Sequence, residues 1–230
     1  MHRSINWVAL PAVALLGLAG AAPADAADLS VAPLYKAPPA PVAPPAYNWS
    51  GFYLGANGGG GWSTSHWDSV GSTNGSGGVV GGTAGFNWQS GRAVFGLEGD
   101  IDWSNVKGTT TSAACPAGCT TQNDWLATVR GRAGYAFDRV MPYVTGGLAV
   151  GDIKASTPGF AGVSQTNAGW TAGGGLEFAL SNNWTAKAEY LHVDLGNMNC
   201  GFNCGTTANN NVSLREDLVR GGLNFKFGGN

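Results

Sequence analysis

Residues 94–103 read Val-Phe-Gly-Leu-Glu-Gly-Asp-Ile-Asp-Trp. Phe95, Leu97, Ile101 and Trp103 fall on one face of an extended chain, and Glu98, Asp100 and Asp102 fall on the other. A period of two is the pattern of a strand with two unlike faces. Three carboxylates opposite four large apolar groups leave one question open, which is the face that meets water.

Outward from this stretch the same alternation recurs in eight segments, roughly 49–61, 78–89, 92–103, 124–136, 141–151, 168–180, 184–194 and 216–227. In 124–136, Trp125, Ala127, Val129, Ala133 and Tyr135 oppose Thr128, Arg130 and Arg132. Trp170, Ala172, Leu176, Phe178 and Leu180 oppose Thr171 and Glu177, and Trp184, Ala186, Ala188 and Tyr190 oppose Lys187 and Glu189. In the last segment Val219, Leu223, Phe225 and Phe227 oppose Arg220, Asn224 and Lys226. No stretch carries a helical period.

Connection lengths alternate. Ser90-Gly91, 137–140 and 181–183 are short turns, whereas 62–77, 104–123, 152–167 and 195–215 read as long loops of Gly, Ser, Thr and Asn. Short turns on one side and long loops on the other imply antiparallel neighbours in an even number. An open meander exposes two edges, so closure is expected. The expected fold is all-β, an eight-stranded antiparallel up-and-down transmembrane β-barrel.

The charges settle which face points in. The polar faces carry five acids (Glu98, Asp100, Asp102, Glu177, Glu189) and five bases (Arg130, Arg132, Lys187, Arg220, Lys226). An eight-stranded barrel holds only side chains inside, and this many Trp, Phe, Tyr and Leu would overfill it. Gly81, Gly85, Gly96, Gly134, Gly173 and Gly175 lie on the charged face and make room for long side chains. Charges inside and apolar groups outside is the arrangement of a barrel in lipid. The ten charges are expected to form an interior plug of ion pairs. Two aromatic girdles are expected: Trp49, Trp88, Trp184, Phe225 and Phe227 at the short-turn end, and Trp103, Trp125 and Trp170 at the long-loop end.

Composition agrees. Charged residues are 11% of the 230-residue chain, glycine accounts for 38 positions without a G-X-Y period, and the net charge is −2. Soluble domains carry roughly 25% charged residues, and a near-neutral chain is not a basic nucleic-acid binder. Residues 1–26 read as a signal peptide: Arg3, an apolar run from Trp7 to Ala19 and a small-x-small site at Ala24-Asp-Ala26. Residues 27–47 read as a proline-rich periplasmic linker, with six prolines between Val31 and Ala46. Residues 48–230 are assigned to the barrel.

Asn48-Trp-Ser-Gly-Phe-Tyr-Leu-Gly-Ala56, the Gly-rich hairpin 81–98, Val129-Arg-Gly-Arg-Ala-Gly-Tyr135, Pro142-Tyr-Val-Thr-Gly-Gly-Leu-Ala149 and Val219-Arg-Gly-Gly-Leu-Asn-Phe-Lys-Phe227 occur in this order. In that order they resemble the eight-stranded outer-membrane barrels of alphaproteobacteria, relatives of opacity-type proteins and major surface antigens. The resemblance implies insertion by the outer-membrane assembly machinery and exposure at the cell surface. The chain departs from the common pattern by ending in Gly228-Gly-Asn230 rather than at the last Phe.

Cys115, Cys119, Cys200 and Cys204 form two C-x3-C pairs in the second and fourth long loops. In an exported chain the preferred reading is two local disulfides; cross-loop pairing of the Cys115–Cys200 kind and a zinc site are the alternatives. His192 beside Asp194, with Ser213 across the eighth segment, is the residue set an enzyme would use, yet no G-x-S-x-G elbow is present. No catalytic set, cofactor or metal is expected. The expected role is structural and surface-interactive, with Trp62, Trp67 and Phe202 as loop contacts; a small porin-like pore and a lipid-modifying enzyme are the alternatives. Expected partners are outer-membrane lipid and lipopolysaccharide, and host or other extracellular molecules through the loops, with nucleic acid excluded. The amino-terminus is expected in the periplasm and the long loops outside the cell.

Overall fold

The structure, a computed structural model, describes residues 47–67, 71–112, 115–159, 161–199 and 211–228. The expected signal peptide, the linker up to residue 46, Cys200, Phe202 and Cys204 lie outside the described residues.

Eight strands follow in chain order: β1 (Gly51–Trp67), β2 (Gly71–Ser90), β3 (Ala93–Ser112), β4 (Cys115–Tyr135), β5 (Val140–Ser156), β6 (Val163–Ala179), β7 (Trp184–Asn199) and β8 (Asn211–Lys226). Each pairs antiparallel with the next, and β8 returns to β1, with Tyr53 opposite Lys226 and Trp67 opposite Val212. Closure leaves no strand edge unpaired. At the short-turn end, Ser90 pairs with Ala93 across Gly91-Arg92, where Gly91 adopts φ 61°, a region open to glycine without a Cβ penalty.

The strands run 16 to 21 residues, well beyond the ~9–11 that cross a bilayer. The stretches 62–77, 104–123, 152–167 and 195–215, expected as loops, are largely strand: β1 extends to Trp67 and β2 begins at Gly71. Two physical causes hid this. Beyond the bilayer the outward positions are Ser, Thr and Asn, so the two faces lose their contrast. In addition, the register shifts between Trp103 and Val106, between Gln122 and Leu126, and between Asp194 and Asn197, and the inward alternation resets in β4 from Asn123 to Leu126 and in β7 from Leu195 to Met198. The last shift is built on Gly196, at φ 69°, whose N–H donates to Asp194 Oδ1 at 2.8 Å.

The interior is layered. At the short-turn end Tyr47, Trp49, Val94, Ala136, Met141 and Ala179 pack together. Charged side chains fill the middle. Above them Trp67, Val106, Leu126, Ile153, Leu191, Val193, Leu195, Met198, Leu214 and Leu218 form an apolar cluster that the alternation did not reveal. The outer face carries Leu97, Ile101, Trp103, Val129, Leu148 and Leu223, all exposed.

Trp88, Trp184 and Phe227 lie exposed on the outer face at the short-turn end, with Phe225 packed edge-on between the rings of Trp184 and Phe227. Trp103 and Trp170 lie exposed toward the opposite end, where Trp103 pairs in register with the half-buried Trp125. Trp49 does not belong to this outer set. It is only 1% exposed, its indole N–H donates to Asp138 O at 3.1 Å, and its ring meets Tyr47 edge-on at 4.8 Å. Trp49 precedes β1, where the chain crosses the barrel mouth, so strand alternation does not govern its direction. Trp67 is likewise buried, donating to Thr121 Oγ1 at 3.1 Å, rather than presented as a loop contact. Trp62 remains exposed on the outer face of β1.

Candidate functional site

β3, β4, β6, β7 and β8 each turn alternate residues into the lumen, and this places nine charges at one level. Arg130 on β4 donates through Nη2 to Glu98 Oε1 at 2.6 Å and Asp100 Oδ2 at 2.7 Å, and through Nη1 to Glu189 Oε2 at 3.0 Å. Arg220 on β8 holds Asp100 Oδ1 at 2.8 Å, Glu189 Oε1 at 2.9 Å and, closely, Asp102 Oδ2. Arg132 joins Glu177 at 2.6 Å to Glu98 at 3.5 Å, and Lys187 reaches Glu98 Oε2 at 2.9 Å. The result is one connected lattice of five acids and four bases, with every member buried.

Hydroxyls and amides complete it. Tyr53 donates to Glu98 at 2.7 Å, Tyr143 to Glu189 at 2.9 Å, Thr128 to Asp100 at 2.8 Å, and both Thr185 and Asn224 to Glu177. The Arg132 guanidinium stacks 4.1 Å from the Tyr143 ring centre. Sequence reasoning missed Tyr53 and Tyr143 because it took aromatic residues as outward-facing. Their signal was parity: both stand beside inward glycines, and a Cβ on Gly85 or Gly175 would meet the Tyr53 or Tyr143 phenol. A Cβ on Gly81 would likewise strike the Asp102 carboxylate.

Lys226, the tenth expected member, stands apart. Its ammonium donates to Asn48 O and lies 4.4 Å from the Tyr47 ring centre, at the mouth, with no carboxylate within ion-pair reach among the described residues. The physical reason is height: it is the last residue of β8, below the Glu177 level. Two further buried acids, Asp152 and Glu216, were not foreseen; Asp152 accepts from Ser164 at 2.9 Å, whereas Glu216 has no such partner. Glu216 sits between Leu214 and Leu218 on β8, 1% exposed, and neither carboxyl oxygen has a hydrogen-bond partner.

The enzyme-like residues are not assembled. His192 Nδ1 bonds Asp217 Oδ1 at 2.8 Å, and Tyr190 donates to the same oxygen at 2.6 Å. Ser213 lies opposite Asn197, four residues along β8 from Asp217, which at ~3.3 Å per residue is ~13 Å away. His66, on β1, bonds Ser72 at 3.2 Å. Cys119 is disulfide-bonded and lies 3.3 Å from Thr157 Oγ1; the side chain of Cys115 is outside the described set, as are Cys200 and Cys204. Among the described residues no group of three His, Cys, Asp or Glu side chains is placed to share a metal. Above the outer aromatic residues, Lys154 bonds Asp124 and holds its carboxyl below the usual carboxylate range.

Chemically, the lattice is a barrier. Eight of the ten lattice carboxylate oxygens are held by an arginine or lysine, Glu177 Oε1 accepts from Thr185 and Asn224, and an apolar cluster lies above them.

Comparison with known proteins agrees with this architecture. The family model described as outer membrane protein beta-barrel domain matches residues 12–227. The 31 kDa outer-membrane immunogenic protein of Brucella melitensis is 38% identical over 230 aligned residues, covering 89% of this chain and 93% of the relative. A 22 kDa outer membrane protein of Rhizobium leguminosarum is 36% identical, covering 82% of each chain. Among solved structures, Neisserial surface protein A superposes with a TM-score of 0.45 at 20% identity, over 77% of this chain and 98% of that one. With its closed eight-stranded barrel and a family match along nearly its whole length, this chain belongs to the outer membrane protein beta-barrel domain family and is a protein of the outer membrane.

Proposed function

We propose that this protein is a sealed structural barrel that stabilises the outer membrane and presents its long-connection end to molecules outside the cell. The amino-terminal mouth, carrying Tyr47 and Trp49, faces the periplasm in this reading. The observation that carries the proposal is the lumen itself: a lattice of nine charges, closed above by an apolar cluster and below by an aromatic cap. A conducting pore needs mobile water and free ligand oxygens along its axis, and these side chains occupy that path. The name of the Brucella relative, an outer-membrane immunogenic protein, supports exposure of one end. Trp62 and the strand extensions beyond the bilayer are the surfaces available for contact.

Single-channel recording of the refolded barrel in a planar bilayer tests this. A silent membrane is expected. Steady conductance that changes when Arg130 or Arg220 is neutralised would make the protein a small pore with the lattice as its filter.

A further inference from the structure

The outer face is not uniform. On β2, β3 and β4 small residues meet in register: Ala84 stands opposite Gly99, and Ala127 lies opposite Ile101. With Gly82 they form the floor of an apolar groove of about 820 Å³, walled by Val129 and reaching Trp103 at its upper end. The groove is a shallow, open one, formed where Gly82, Ala84, Gly99 and Ala127 leave space between larger side chains. It is not cramped: a Cβ on Gly82 would come no closer than 3.8 Å to the backbone, and one on Gly99 no closer than 3.6 Å.

Above the groove, Lys107 points outward on the same face of β3 as Trp103, four residues further along the strand. Its surroundings set it apart. The other outward lysine and arginine described at this end are matched by acids: Lys154 by Asp124 and Arg215 by Asp194 at 3.0 Å. Lys107 has no carboxylate within ion-pair distance among the described residues. An aromatic ring at the water boundary, an apolar groove on one side of it and an unmatched ammonium on the other form an amphipathic seat.

We propose that this groove binds one acyl chain of a lipid whose phosphate headgroup is held by Lys107. The charge on Lys107 selects an anionic head, and the glycine–alanine floor selects a chain that lies flat against the sheet. The site does not depend on whether the lumen conducts.

The test is native mass spectrometry of the folded barrel released from micelles containing equal amounts of phosphatidic acid and phosphatidylcholine of the same chain length. Phosphatidic acid is expected to stay bound in preference to phosphatidylcholine. Lys107→Ala should reduce its retention about fivefold, the factor that corresponds to about 1 kcal/mol per lysine at an anionic surface, and Lys107→Arg should restore it. Gly99→Leu, which fills the groove without touching the lumen, should reduce retention with Lys107 intact. Equal retention by Lys107→Ala and the unaltered protein would overturn the proposal, as would full retention by Gly99→Leu. Displacement of the lipid by millimolar inorganic phosphate would overturn it too, because the site would then recognise phosphate alone.

Discussion

Replacing Arg220 by Met removes a guanidinium while keeping most of the side-chain volume, and the structure states what each former partner has left. Asp100 keeps Arg130 at 2.7 Å and Thr128 at 2.8 Å. Glu189 keeps Arg130 at 3.0 Å and Tyr143 at 2.9 Å. Asp102 keeps no cation: Arg220 is its sole ion-pair partner among the described residues, and the neutral Asn57 amide is what remains beside it. Stranding a buried charge costs roughly 3–5 kcal/mol, and loss of the one cation of Asp102 places this variant near the upper figure. Arg130→Met leaves Glu98, Asp100 and Glu189 each with another cation, so it belongs near the lower one. A gap of ~1.4 kcal/mol between them is tenfold in the folded-to-unfolded ratio. Urea unfolding in lipid vesicles, followed by tryptophan fluorescence, reads both. Adding Asp102→Asn to Arg220→Met should recover about half the loss or more, because the stranded charge is gone. Equal stability of Arg220→Met and the unaltered protein would refute the argument, and so would failure of Asp102→Asn to recover anything.

Other expectations follow from the same geometry. Trp49→Ala should cost ~3–5 kcal/mol, as for a buried large-to-small change, whereas Trp88→Ala, at 65% exposure in the free chain, should cost clearly less in the same urea assay. Gly81→Ala drives a Cβ into the Asp102 carboxylate and should abolish the heat-modifiable folded band on gels, while Gly82→Ala, next in sequence but outward, should leave it intact. Glu216→Gln removes a charge that has no partner, so its urea midpoint should equal or exceed that of the unaltered protein; Asp100→Asn, which breaks two ion pairs, should lower it. If the disulfide of Cys119 closes a short local ring, reduction should cost less than the ~3 kcal/mol ascribed to a 15-residue loop, readable as a small shift in melting temperature.

The barrel and its sidedness were legible where the bilayer imposes contrast. Glu98 to Trp103 alternates because one side must satisfy lipid and the other the lumen, so the eight belt segments and three short turns could be read directly. Legibility stopped where that contrast stops. Ser63, Ser65 and Thr73 face inward in extended strands, but Thr64 and Asn74 face outward and are equally polar, so nothing in the side chains marks the pairing. The register shifts near Leu126 and Asn197 broke the period just where the strands continue. Charge type also showed which residues enter the lumen but not which pair: Lys226 has the right parity and the wrong height. Glu216 escaped because it stands among leucines rather than among charges, and Trp49 because a residue outside a strand has no face to be assigned.

Arg220 and Asp100 are 120 residues apart in the chain, and Arg220 and Asp102 are 118 apart. Contacts of such separation form late, after much of the chain has been ordered. Until β8 arrives beside β1, a partly inserted sheet carries Asp102 without its cation in a setting where unpaired charge is costly. If the strands assemble in chain order, a sheet that lacks β8 is penalised by the uncompensated Asp102, and the last strand brings the guanidinium that relieves it. A chain truncated before Arg220 should stall as an open sheet, and its complementation by a separately supplied β8 peptide would measure how much of the driving force for sealing resides in that one residue.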